Sequence, residues 1–188
     1  MSPILGARGG LAASAYGFTS AAAAAGDYQS IATATASGTT ATLSFTSIPG
    51  TFKHLQFRVY GRGTYAAGGL TCYVSINSNG QTGYRHHLYG NGSAVSAYAV
   101  SGYGTIGGIP GSTVTASTYG VAILDILDYT NTSKTKTLRY LAGYDGNGSG
   151  ELMLGSAYSN VTAAITTADF TVDGSWVDKT TIALYGIK

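Results

Sequence analysis

Charge is scarce in this chain. Asp, Glu, Lys and Arg make up 10% of its 188 residues, where about a quarter is usual. The net charge of +2 is too small to point to nucleic acid. Acid is missing between Asp27 and Asp125, while Lys53, Arg58, Arg62 and Arg85 lie inside that span. A mildly positive face is one expectation; a plain solvated surface is the simpler one. Cysteine occurs once, at Cys72, which excludes an intrachain disulfide. No apolar run approaches the ~18 residues of a membrane span. A signal peptide is not expected, because Arg8 stands alone and Gly6, Gly9 and Gly10 break any apolar stretch.

What the chain has is apolar residues (44%), glycine (28) and tyrosine (15). With few charges, that mixture describes a β-protein surfaced by hydroxyls. Period-two alternation begins past Asp27. Ala41, Leu43 and Phe45 alternate with Thr42, Ser44 and Thr46. Leu55, Phe57 and Val59 alternate with His54, Gln56 and Arg58, and Leu70, Cys72, Val74 and Ile76 with Thr71, Tyr73, Ser75 and Asn77. Each reads as a strand with one buried face, and Cys72 as inert packing on it. "GVAILDILDY" is apolar on both faces, which predicts a central strand covered on both sides and ending near Asp128. "KTKTLRYLAGY", "ELMLGSAYS", "AAITTADFTVDG" and "TTIALYGI" predict further strands. Turn signals stand at Pro49-Gly50, Asn79-Gly80, Asn91-Gly92, Pro110-Gly111, Asn131-Thr132 and Gly146-Asn147-Gly148. Eight to ten strands without helices predict an antiparallel β-sandwich of jelly-roll type over residues 27–188.

Residues 1–26 show neither period. They predict an extended docking arm, able to reach about 85 Å at ~3.3 Å per residue. Ile4, Leu5, Leu11, Tyr16 and Phe18, with Arg8 among them, are anchors spaced by Gly and Ala. Such a peptide suits close contact along another subunit; the alternative is a disordered tail.

No catalytic constellation is present, and an enzyme is not expected. His86 and His87 are strand neighbours and point to opposite faces. Asp125 and Asp128 are an odd step apart, poor geometry for paired carboxylates. Gly102 to Gly107 fits G-x-G-x-x-G, but Gly108, Ile109, Pro110 and Gly111 follow. No helix can open there, so the segment reads as a loop. Asp145, Asn147 and Ser149 match the first half of a calcium loop, yet its twelfth position is Ser156. A Gly-rich hairpin turn is the better reading, with calcium the alternative. No cofactor is expected. The remaining signal is the region holding Tyr84, Arg85, His86, His87, Tyr89, Tyr98 and Tyr103. Exposed Tyr beside polar groups suits sugar stacking or a protein interface; padding of sandwich edges and loops is the alternative.

Several segments together resemble a known family. "LGARGGLAASAYGF" resembles the N-terminal peptide of many tailed-bacteriophage virion proteins. "DYQSIATATA", "FTSIPGTFKHLQFR", "RHHLYGNGS", "LDILDYTNTSKTKTLRYLAGYDGNGSG" and "ALYGIK" resemble small phage structural proteins. The resemblance implies a virion protein whose arm fastens a β-sandwich to the particle exterior, on tail or head. It supplies no catalytic residues. A tail-fibre or adhesin-like component contacting a host-surface glycan is expected, as a homo-oligomer with a trimer favoured. A capsid decoration protein is the alternative, and a carbohydrate-binding module a third. Partners are other virion proteins, without nucleic acid or membrane.

Overall fold

The computed structural model describes residues 26–80, 84–101 and 105–188. Among them the chain is all-β. Thirteen strands run β1 (Tyr28–Thr35), β2 (Thr40–Phe45), β3 (His54–Gly61), β4 (Gly69–Ile76), β5 (Asn79–Gly80), β6 (Tyr84–Gly90) and β7 (Val95–Ser101). They continue as β8 (Thr105–Pro110), β9 (Gly120–Ile126), β10 (Lys136–Asp145), β11 (Gly150–Ser159), β12 (Ala168–Trp176) and β13 (Thr181–Ile187). Residues 1–25 of the predicted arm, with all six of its candidate residues, fall outside the described residues.

All pairings are antiparallel, in two sheets. The larger has the order β1-β13-β3-β9-β10-β11-β6-β7. The smaller has the order β2-β12-β4-β5, with β8 also paired to β4. The alternating residues behave as their period requires. Leu55, Phe57 and Val59 of β3, and Leu70, Cys72, Val74 and Ile76 of β4, are all buried. Phe57 faces Phe170 of β12 with centroids 4.9 Å apart, and Phe45 of β2 meets Phe57 at 5.4 Å. Trp176 is fully buried, and its indole N–H donates to the Phe170 carbonyl at 3.0 Å. The core therefore sits between the smaller sheet and the β13-β3-β9 part of the larger one.

Four expectations are corrected. The strand in "GVAILDILDY" is covered on one side only: Leu124 is 1% exposed, but Val121 is 58% and Leu127 55% exposed. The first hairpin turn is not Asn79-Gly80. It is Asn77-Ser78, both with positive φ (51° and 58°), as a two-residue type I′ turn needs. Residues 84–101, for which no strand is named from the sequence, form the regular hairpin β6–β7, and Thr105 to Pro110, expected within a loop, are a strand. Arg62 belongs to no positive face. It is buried, and its guanidinium donates to the carbonyls of Val114 (2.8 Å), Thr118 (2.9 Å), Thr115 (3.0 Å) and Ser112 (3.4 Å).

These features give two tests. Leu124→Asp places an unpaired charge between Phe57 and Tyr140, its neighbours in register. The cost is several kcal/mol, comparable to the ~5–15 kcal/mol that holds a domain. Loss of the cooperative melt is expected, and a soluble variant with a normal melt would refute the strand's central place. Arg62→Lys keeps the charge but loses the planar fork. It should cost about 2 kcal/mol in urea unfolding, because carbonyls of the 112–118 loop lose their donors.

Candidate assembly and recognition surface

The larger sheet is wider than its partner, and its outer face is where chemistry collects. Register places that face's residues in rows across the strands. One row is polar: Tyr185, Gln56, Asp125, Arg139, Ser156 and His86. Its three central members, Gln56, Asp125 and Arg139, are joined. Tyr28 donates its hydroxyl to Gln56 Oε1 at 2.7 Å, and Gln56 Nε2 donates to Asp125 Oδ1 at 2.9 Å. Arg139 pairs with Asp125 Oδ2 at 3.1 Å. Arg58 lies over the stacked rings of Tyr28 and Tyr185, 5.4 and 5.2 Å from their centroids. This ties the edge strand β1 to the middle of the sheet.

Toward the other end of the strands the face turns apolar. One row runs Arg58, Ile123, Leu141, Leu154, Leu88, Ala97. The next runs Tyr60, Val121, Gly143, Leu152, Gly90, Val95. Leu152 is 61% exposed, Leu88 50% and Val95 79%. Two depressions lie on this face. One of about 600 Å³ is lined by residues that include His86, Leu88, Ala99, Arg139 and Leu154. The other, about 490 Å³, involves Val121, Ile123, Leu141 and Leu152.

The sequence-predicted recognition residues are not brought to one surface. Among those whose side chains the structure describes, His86 alone stands on the outer face. Arg85, His87, Tyr89 and Tyr98 take the alternate positions of the β6–β7 hairpin, on its inner side. His87 is 9% exposed and stacks on Tyr98 with centroids 5.4 Å apart. Burial, then the nearby Arg85 charge, pushes its pKa down. Tyr98 remains half-exposed because the hairpin overhangs the smaller sheet. Tyr89 is half-buried and hydrogen-bonds Glu151, whose carboxyl burial holds above its usual range. Tyr84 lies on β6, and Tyr103 lies outside the described residues. Nothing in the sequence marks the apolar outer rows, because β9, apolar at every position but Asp125, reads as a strand buried on both faces.

The calcium-loop match is a hairpin turn between β10 and β11. Asp145 Oδ1 accepts the Asn147 N–H at 2.8 Å, and Asn147 and Gly148 take positive φ. Ser149 closes the turn through its carbonyl, which accepts the Gly146 N–H at 2.6 Å. Among the described residues no three His, Cys, Asp or Glu side chains gather for a metal, and no helix is long and apolar enough to cross a membrane. Comparison with family models, characterised proteins and solved structures returns no match.

Beneath the hairpin, Tyr140 is 2% exposed with its ring packed over Gly155, where a Cβ would meet it at 2.5 Å. Its hydroxyl is buried without a hydrogen-bond partner. Leaving a polar group so placed costs about 1–3 kcal/mol. Tyr140→Phe should therefore raise stability by about 1 kcal/mol in denaturant unfolding. A loss of stability would show that the hydroxyl has a bonded partner in solution.

Proposed function

We propose that this chain is a structural subunit on the exterior of a tailed-bacteriophage virion. In this reading it is a tail-fibre or adhesin-like component, anchored by its N-terminal arm and contacting the host surface. The observation that carries an assembly role is the outer face of the larger sheet. A sheet that leaves Val121, Leu141, Leu152, Leu154 and Leu88 in solvent suits packing against other protein. The resembling segments supply the phage setting. The strand order supports a jelly-roll framework: β1-β13-β3-β9 stands opposite β2-β12-β4-β8, with β6–β7 and β10–β11 as insertions that widen one sheet. The insertions carry most of the apolar rows and the Tyr98 overhang. A protein that elaborates one side of a common framework in this way separates its specific contacts from its core.

A capsid decoration protein is the second reading. What favours it is the breadth of the apolar face, which could lie along a neighbouring capsid subunit. A carbohydrate-binding module draws support from the half-exposed ring of Tyr98, since a tyrosine ring can stack on a sugar.

Three experiments test this. Copies per particle separate the placements: tens or fewer for a fibre component, hundreds for a decoration protein. Residues 27–188 contain the whole described core, so the chain without its arm should melt within a few degrees of the full chain yet fail to enter particles. Normal incorporation of the truncated chain would remove the arm's docking role. If the hairpin recognises the host, Tyr98→Ala particles should assemble normally and adsorb poorly.

A further inference from the structure

We propose that the outer face of the larger sheet is covered by the same face of a second copy of this chain. The inference needs no phage setting, since it rests on three properties of the face itself.

The first is size. The exposed side chains of Val121, Ile123, Leu141, Leu152, Leu154, Leu88 and Val95, 39–79% exposed, present on the order of 700 Å² per copy. That exceeds the ~300–600 Å² patch of a typical monomer and approaches the ~800 Å² per partner of a stable complex. The second is relief. In the row Val121, Gly143, Leu152, Gly90, Val95, large and glycine positions alternate from strand to strand. Knobs therefore recur every second strand, about 9–10 Å apart, with a glycine hole between them. The row beside it adds Leu141, Leu154 and Leu88, and a depression of about 490 Å³ lies between the rows. A row of knobs and holes at one spacing is complementary to a copy of itself shifted by one strand. Aligned packing of two sheets interdigitates side chains in the same manner. The third is the distribution of charge. Neither apolar row contains a carboxylate, and Arg58 is its only cation. Asp125 and Arg139 lie in the polar row along one side, already paired to each other. Two copies can bring the apolar rows together with these charges left at a wet rim, the usual anatomy of an interface. Using the same patch on both copies makes the contact isologous, so it closes as a pair.

The test uses the full chain. Sedimentation equilibrium at tens of micromolar should give the mass of a dimer. Leu152→Asp puts a charge into the centre of the contact on a side chain already 61% exposed. It should weaken dimerisation by at least ~100-fold, the effect of disrupting an interface hot spot. Its far-UV circular dichroism should stay that of the wild type. Leu141→Arg, with the opposite charge, should do the same and guards against an effect peculiar to one substitution. A wild-type monomer, a trimer, or a dimer that survives both substitutions would overturn the proposal. If the arm covers the face in place of a second copy, the wild type reads as a monomer and the proposal falls on that measurement.

Discussion

Two sheets of unequal width have to share one core, and the rest of the structure depends on that mismatch. The smaller sheet can cover only part of the larger. Phe45, Phe57 and Phe170 meet where the two overlap, with Trp176 closing beside them. Beyond that overlap, the inner side of β10 and β11 is covered by β8, which pairs with β4 and packs across them. Tyr140, lying over Gly155, fills the remaining depth. Farther out still the cover thins: His87 of β6 is still buried, but Tyr98 of the edge strand β7 is left half in solvent. The gradient from dry centre to overhanging edge follows from strand count alone.

Scarcity of acid shapes how the loops are held. Two buried cations are satisfied by backbone carbonyls. Arg62 gathers the 112–118 loop. Lys136, 1% exposed, donates to the carbonyls of Asn131, Lys134 and Thr162. Burial pushes the Lys136 pKa down, because desolvation penalises its charged form and the Asp128 charge only partly offsets this. A carbonyl cage fixes loop backbone directly, which a carboxylate partner would not. It also leaves these cations unavailable to any external anion, whatever the sequence charge suggests.

The framework strands were legible because their period is clean: β2, β3 and β4 bury what alternation says they bury. The edge and inserted strands were not. β1 is short of large apolar residues, and β6 and β7 carry Tyr, His and Ala with no buried stripe of their own, so they resembled loop sequence. Their strand character comes from pairing: β6 takes its register from β11, and β7 from β6. The recognition residues were expected to converge because they are close in sequence. Strand geometry separates them instead, sending His86 outward and Arg85, His87 and Tyr89 inward.

Strand β9 shows what settles a register that hydrophobicity leaves open. Its residues are apolar on both faces, so a slip by one position would exchange Ala122 and Leu124 for Val121 and Ile123 at little cost in burial. In such a strand the apolar pattern specifies register poorly. Asp125 removes the ambiguity. In the observed register its carboxylate accepts from Gln56 of β3 on one side and Arg139 of β10 on the other. A one-residue slip would turn that carboxylate inward, between Phe57 and Tyr140 or between Leu55 and Leu138 according to its direction, without partners and at a cost of several kcal/mol. The polar row is thus a pin for the sheet. Because it fixes register by charge, the rows beyond it are free to be apolar on the outside. That freedom is what lets one sheet carry both a core face and a second apolar face.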